Sequence, residues 1–176
     1  MDPLIRPVRA SDDPELARII RTVMTECGAS GPGFAIHDPE VDAMSLAYSA
    51  PRSRYFVAEE GGRILGGAGI GPLQGGEAWI CELRKMYLLP IARGRGIGAR
   101  LLAHCLEAAR SFGFIACYLE TLHSMQAAQG LYRRFGFRPI DQRLGETGHF
   151  GCDRFYLLEW ATPCAEDPRD PAAGAG

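Results

Sequence analysis

Arg93-Gly94-Arg95-Gly96-Ile97-Gly98 decides the fold, because it joins a predicted strand to a predicted helix with three glycines at the junction. The first amides of a helix have no intrahelical acceptor, and the helix dipole adds positive potential there. Glycine lets a ligand approach the backbone closely. The stretch therefore predicts a pyrophosphate site with charge-assisted contacts from Arg93 and Arg95, the competing interpretation being a merely flexible turn.

The residues that follow this turn alternate helix with strand. Apolar residues at helical spacing predict a helix over 96–112, which Gly113 ends, and the apolar run 115–119 predicts a buried strand. Helical spacing returns from Met125 to Phe135, and a late strand covers 155–160. This order implies at least one parallel crossover around the helix 96–112.

The residues that precede the turn favour an antiparallel arrangement. Two apolar runs, 55–59 and 64–70, flank a Gly-Gly turn and predict a hairpin, and a further strand runs from about 78 to 89. Asp13 followed by Pro14 predicts the N-cap of a helix. The remaining expected elements are a strand over 5–8, a loop over 28–39 and a short helix over 41–48. The whole indicates an α/β (α+β) fold with a mixed central sheet.

Length and composition limit the class of protein. The 176 residues, 47% of them hydrophobic and 23% charged, suit a single domain, expected over residues 1–160, with a disordered tail beyond. The net charge of -2 gives no reason to expect nucleic acid or a membrane as partner. The chain has no apolar run of the roughly 18–20 residues that a membrane span needs and no signal-peptide pattern, so a cytoplasmic location is the default expectation. Six cysteines without a C-x-x-C pair predict no metal site.

Three motifs in order carry a resemblance to a known family. They are Cys81-Glu82-Leu83-Arg84-Lys85-Met86-Tyr87-Leu88-Leu89-Pro90, the turn Arg93 to Gly98, and Leu131-Tyr132-Arg133-Arg134-Phe135-Gly136-Phe137. Together they resemble the GNAT superfamily of acyl-CoA-dependent N-acyltransferases, and the turn is similar to its signature [QR]-x-x-G-x-[GA]. The resemblance extends over about residues 4 to 160.

The resemblance implies a GNAT-like, mostly antiparallel sheet with a splayed strand pair that holds acetyl-CoA, the acyl donor. It places the main chain of Met86, Tyr87 and Leu88 against the pantetheine arm and the acyl carbonyl. The turn amides would hold the pyrophosphate; they belong to Gly94, Arg95, Gly96, Ile97, Gly98 and Ala99.

The resemblance also implies the catalytic groups. Glu82 and Glu120 both match family general bases, and the choice between them stays open at this point. Tyr132 matches the proton donor to the leaving thiolate. Many relatives carry an Asn seven residues before this Tyr, where this chain has Met125, so one side-chain contact to the cofactor is in doubt.

The implied activity is direct acetyl transfer to a primary amine of a small molecule or peptide, by a monomer or homodimer. Two other classes remain: an acyl-CoA sensor without turnover, and a dinucleotide-binding oxidoreductase, since Gly94, Gly96 and Ala99 also fit G-x-G-x-x-[GA] with Glu120 as a ribose acceptor. The acceptor pocket is expected from the N-terminal helices, their loop and the last strands, namely Phe34, His37, Tyr48, Thr147, Gly148, His149, Cys152 and Asp153.

Overall fold

A seven-stranded mixed sheet forms the centre of the molecule. The computed structural model describes residues 2–160, so the tail expected to be disordered lies outside the described residues. The strands follow the order β1-β2-β3-β4-β5-β7-β6. Their bounds are β1 Leu4–Pro7, β2 Arg54–Glu60, β3 Arg63–Pro72, β4 Ile80–Leu88, β5 Ala116–Thr121, β6 Arg138–Ile140 and β7 Arg154–Glu159.

Four α-helices cover the two faces of the sheet, and alternate residues of β2 pack against helices on opposite faces. Phe56 and Ala58 pack in the cluster that contains α3 and α4, while Tyr55 and Val57 pack against α1 and α2. Among residues 2–160, no helix is long and apolar enough to cross a membrane. The helices are α1 Asp13–Glu26, α2 Met44–Ala47, α3 Ile97–Ser111 and α4 Gln126–Arg134.

The strand directions confirm the predicted mixture. Neighbouring strands run antiparallel except β4 and β5, which pair in parallel through the α3 crossover. The predicted hairpin is β2 and β3, and the predicted crossover helix is α3. The short edge strand β6 was not predicted, because three residues that include Pro139 show no periodicity.

The start of α1 corrects one expectation. Asp12, not Asp13, is the N-cap residue. The Asp13 carboxylate instead accepts hydrogen bonds from the main-chain N–H and the hydroxyl of Ser45, at 2.8 and 2.6 Å. Asp12 accepts from the Arg9 amide and from the Arg6 guanidinium. The tertiary contact to Ser45 therefore overrides the local capping role of Asp13.

A bulge in β4 separates that strand from β5. Arg84 and Tyr87 of β4 pair with Gly69 and Gly67, so two β4 residues oppose one residue of β3. One of the two is Lys85, which adopts a left-handed φ of 52°. The parallel pairing with β5 covers only Ile80–Glu82. Beyond it the two strands diverge, and a cleft opens between them.

Candidate active site

The larger cavity of the site is a cleft of about 800 Å³ beside the part of β4 that lies beyond its pairing with β5. Its floor is the end of β4, and its walls are the first turn of α3, one side of α4 and the end of α1. Eight of the residues predicted to bind the cofactor line this cleft: Met86, Tyr87, Leu88, Arg93, Gly94, Gly96, Gly98 and Ala99.

The N-terminus of α3 leaves main-chain donors facing this cleft. Gly96 is the N-cap residue at a φ of 77°, and no side chain caps the helix. Within the described residues, the first main-chain bond of the helix runs from the Arg100 amide to the Gly96 carbonyl. A Cβ built on Gly94 or Gly96 would meet nothing within 4 Å. The turn therefore offers unpaired amides beside open space, which suits a phosphate group.

The side chains of three predicted turn residues are engaged elsewhere. The Arg93 guanidinium forms a two-point ion pair with Glu26, and Arg95 forms one with Glu60. These partners raise the pKa of both arginines. Ile97 is buried in the core. Arg95 and Ile97 do not line the cleft, whereas Arg93 and its partner Glu26 do.

A second, smaller cavity of about 70 Å³ adjoins the cleft. Both cavities are lined by Cys27, Met86, Tyr87, Met125 and Tyr132, so these five residues mark where they meet. All six residues of β4 from Glu82 to Tyr87 line the small cavity. This part of the strand, which includes the bulge, therefore forms one wall of the cavity.

Glu82 is a buried carboxyl group at the wall of the small cavity. The residue is 3% exposed, and its nearest ionic partner is Arg84, whose Nε lies 3.7 Å from Oε2. Burial raises the pKa of Glu82 to about 7, opposed by the positive charge of Arg84. A carboxyl group with this pKa exchanges a proton near neutral pH.

Glu120 lines the same cavity in a different environment. Its Oε1 accepts hydrogen bonds from the hydroxyl groups of Tyr118 and Thr147, at 2.9 and 2.8 Å. The Arg143 Nε lies 3.3 Å from the same oxygen. The other oxygen, Oε2, is buried without a hydrogen-bond partner among the described residues. The two glutamates therefore differ in how their oxygens are occupied.

Tyr132 stands at the junction of the two cavities. Its phenol is buried, and burial raises its pKa well above the ordinary value for tyrosine. Within residues 2–160, the hydrogen-bond partner of the hydroxyl is the Met86 sulfur, at 4.0 Å, which is a weak acceptor. The phenol therefore keeps its proton and has no strong acceptor holding it.

A buried ionic cluster beside the small cavity was not predicted. The Lys85 ammonium, 1% exposed, pairs with Asp38 and Glu40, and Asp38 also accepts from His149 Nε2 at 3.0 Å. The Lys85 carbonyl accepts from the Tyr55 hydroxyl. These contacts hold Lys85 in its left-handed conformation, and they tie the bulge to the loops at 33–42 and 143–153.

The residues expected around the acceptor divide into two groups. Phe34, His149 and Cys152 line the small cavity, while Thr147 acts one step back, through Glu120. The others lie outside the cavity: the His37 ring contacts the Ser30 carbonyl, Tyr48 packs on Tyr55, Asp153 accepts from the His123 amide, and Gly148 is exposed in its loop.

Comparison with known proteins agrees with this geometry. Residues 20–137 match the family model described as Acetyltransferase (GNAT) family. The chain is 43% identical to the uncharacterized N-acetyltransferase YjgM of Escherichia coli K12, over 89% of this chain and 95% of the relative.

Two solved structures share the fold. A GNAT-family acetyltransferase from Staphylococcus aureus Mu50 superimposes with a TM-score of 0.79 at 22% identity, over 89% of this chain and 98% of the other. The yncA protein of Salmonella typhimurium, solved with its cofactor acetyl-CoA, has a TM-score of 0.72 at 20% identity, over 95% and 99% of the two chains. The mostly antiparallel sheet does not fit the doubly wound fold of a dinucleotide-binding oxidoreductase. The chain belongs to the GNAT family of acetyltransferases.

Proposed function

We propose that this protein transfers an acetyl group from acetyl-CoA directly to a primary amine of a small molecule or peptide. The observation that supports this most is the meeting of the two cavities. A long cleft with uncapped helix amides at one end joins a small polar cavity, and Tyr132 and Met86 line both. Cofactor and amine can therefore meet beside Tyr132, with Glu82 on the amine side.

The residues of the long cleft fit acetyl-CoA, which supplies an acetyl group activated as a thioester. The amides from Gly94 to Ala99 would bind the pyrophosphate through the open turn. The main chain of Met86–Leu88, which lies beyond the pairing of β4 with β5, would bind the pantetheine arm. Arg134 and Ser124 also line this cleft; the third motif contains Arg134 without giving it a role, and no motif contains Ser124.

Glu82 is the proposed general base. An ammonium group must lose a proton before its nitrogen can attack. A base works best when its pKa is near the working pH, and burial brings the pKa of Glu82 to about 7. Among residues 2–160, no group donates a hydrogen bond to its carboxyl group, so the proton has a free oxygen to reach. Glu120, with two hydrogen-bond donors and the Arg143 ion pair on one oxygen, is less suited to this role.

Tyr132 is the proposed general acid. The leaving thiolate has a reference pKa near 8.5 and departs more readily when it takes up a proton. The Tyr132 phenol retains its proton and faces both cavities. Cys152 is not proposed as a nucleophile, because burial raises the pKa of its thiol to about 12 and leaves it protonated.

A screen of small amines and peptides for release of free CoA thiol tests the proposed function. The proposal expects amine-dependent thiol release, strongly reduced in Glu82→Gln and in Tyr132→Phe. Glu107→Gln, on the exposed face of α3, is the matched control and should act like the wild type. Tight acetyl-CoA binding without thiol release from any amine would contradict transfer and support a sensor.

A further inference from the structure

The small cavity contains one buried oxygen that needs a donor the described chain does not supply. Glu120 is 2% exposed at its side chain, and Oε2 has no partner among residues 2–160. A buried carboxylate oxygen without a hydrogen bond is costly, and such atoms are rare in folded proteins. Because Glu120 lines the cavity, a bound ligand is in a position to provide that donor.

The other oxygen of Glu120 is already held in place. Tyr118 and Thr147 donate to Oε1, and Arg143 lies 3.3 Å from it. Arg143 is itself fixed by the carbonyl groups of His149 and Cys152, at 2.9 and 3.3 Å. The carboxylate therefore cannot rotate freely, and Oε2 keeps one orientation. This is the arrangement of a binding group rather than of a mobile base.

The charged groups around the cavity include one more carboxyl group than permanent cations. Four carboxyl groups, of Asp38, Glu40, Glu82 and Glu120, surround three permanent cations, Arg84, Lys85 and Arg143. Lys85 alone is shared by Asp38 and Glu40, while Arg84 and Arg143 each lie near one glutamate. When all four carboxyl groups are ionised, they exceed these three cations by one, and a single ammonium balances them.

The size of the cavity limits what that cation can be. At ~15 Å³ for each water-sized group, a volume of about 70 Å³ holds about five such groups. An unbranched alkylammonium end fits this space.

We propose that Glu120 Oε2 binds the ammonium of the acceptor, and that the acceptor presents this ammonium on an unbranched alkyl chain. Glu120 then binds the amine, and Glu82 removes its proton. Thr147 is a positioning residue that acts through Glu120. This inference rests on the transfer proposed above and specifies its amine side.

Equilibrium binding to the protein without acyl donor tests the inference, with two probes titrated by NMR. n-Butylamine has about the volume of the cavity, and n-butanol has the same size without charge. We expect the wild type to bind n-butylamine at least about tenfold more tightly than n-butanol, as befits a charged hydrogen bond. Equal binding of the two probes, or no measurable binding of n-butylamine, would overturn the inference.

Variants separate the two glutamates. Glu120→Gln should lose the preference for n-butylamine over n-butanol, whereas Glu82→Gln and the control Glu107→Gln should retain most of it. Thr147→Val should weaken n-butylamine binding about threefold, through loss of one hydrogen bond to Oε1, and the matched Thr22→Val on the exposed face of α1 should not. Melting curves establish that each variant is folded.

Steady-state kinetics distinguish failure of this inference from failure of the proposed function. With any amine that is acetylated, Glu120→Gln should raise KM more than it lowers kcat. A variant that loses kcat at unchanged KM would show Glu120 to be the base and overturn the inference while acetyl transfer stands. Thiol release from no amine at all would instead refute the proposed function.

Discussion

Replacing Glu82 with Gln tests the buried base through stability as well as activity. Burial raises the pKa of Glu82 from 4.5 to about 7, so between these pH values the folded chain holds a proton that the unfolded chain releases. The stability that neutral Glu82 contributes is complete below about pH 4.5 and is lost as the pH rises to about 7. At ~1.4 kcal/mol for each tenfold change in proton affinity, the loss amounts to about 3 kcal/mol.

Gln cannot ionise, so Glu82→Gln removes this loss. Urea unfolding from about pH 4.5 to about pH 8 should show the variant gaining about 3 kcal/mol relative to the wild type across that range. Over the same range the kcat/KM of the wild type should rise with a pKa near 7, and the variant should lose roughly 10²–10⁴-fold at the plateau. A stability difference that does not change with pH, or that changes in the opposite direction, would refute the buried carboxyl group described here.

Three further substitutions test other parts of the site. Tyr132→Phe should lower kcat by about 10²-fold and leave CoA affinity nearly unchanged; a large loss of affinity in calorimetric titration would contradict its role as acid. Gly96→Asp puts a negative charge at the α3 N-terminus and should weaken CoA binding at least about tenfold, so unchanged affinity would remove the turn from the site. Gly66→Ala places a Cβ 2.1 Å from the Tyr87 carbonyl oxygen at a φ of +144°. Thermal unfolding should show that the free energy of unfolding falls by about 2–3 kcal/mol; an unchanged value would show that β4 shifts to accommodate the methyl group.

The sheet and the open glycine turn before α3 could be predicted because local patterns determine them. The hairpin of β2 and β3 and the crossover helix α3 both follow from apolar spacing bounded by glycines. The small edge strand β6 has no such pattern. The N-cap residue of α1 was also predicted wrongly, because the Asp13 carboxylate accepts hydrogen bonds from Ser45, 32 residues further along the chain.

The electrostatics of the site could be predicted only in part. The motifs identified Glu82, Glu120 and Tyr132 as site residues. The difference in environment between the two glutamates depends on Thr147 and Arg143, which come from a distant loop. The ionic cluster of Lys85 likewise joins segments far apart in the chain. Its one sequence signal was that Lys85 is the only lysine, and that fact alone specified no partner.

A crystal structure of the protein with bound CoA would test the proposed cofactor site. We expect the pyrophosphate on the amides of Gly94 to Ala99 and the thiol beside Met86 and Tyr132, at the junction of the two cavities. A ligand bound elsewhere, or turn amides that donate to the protein itself while CoA is bound, would contradict the cofactor site and the roles assigned to Glu82 and Tyr132.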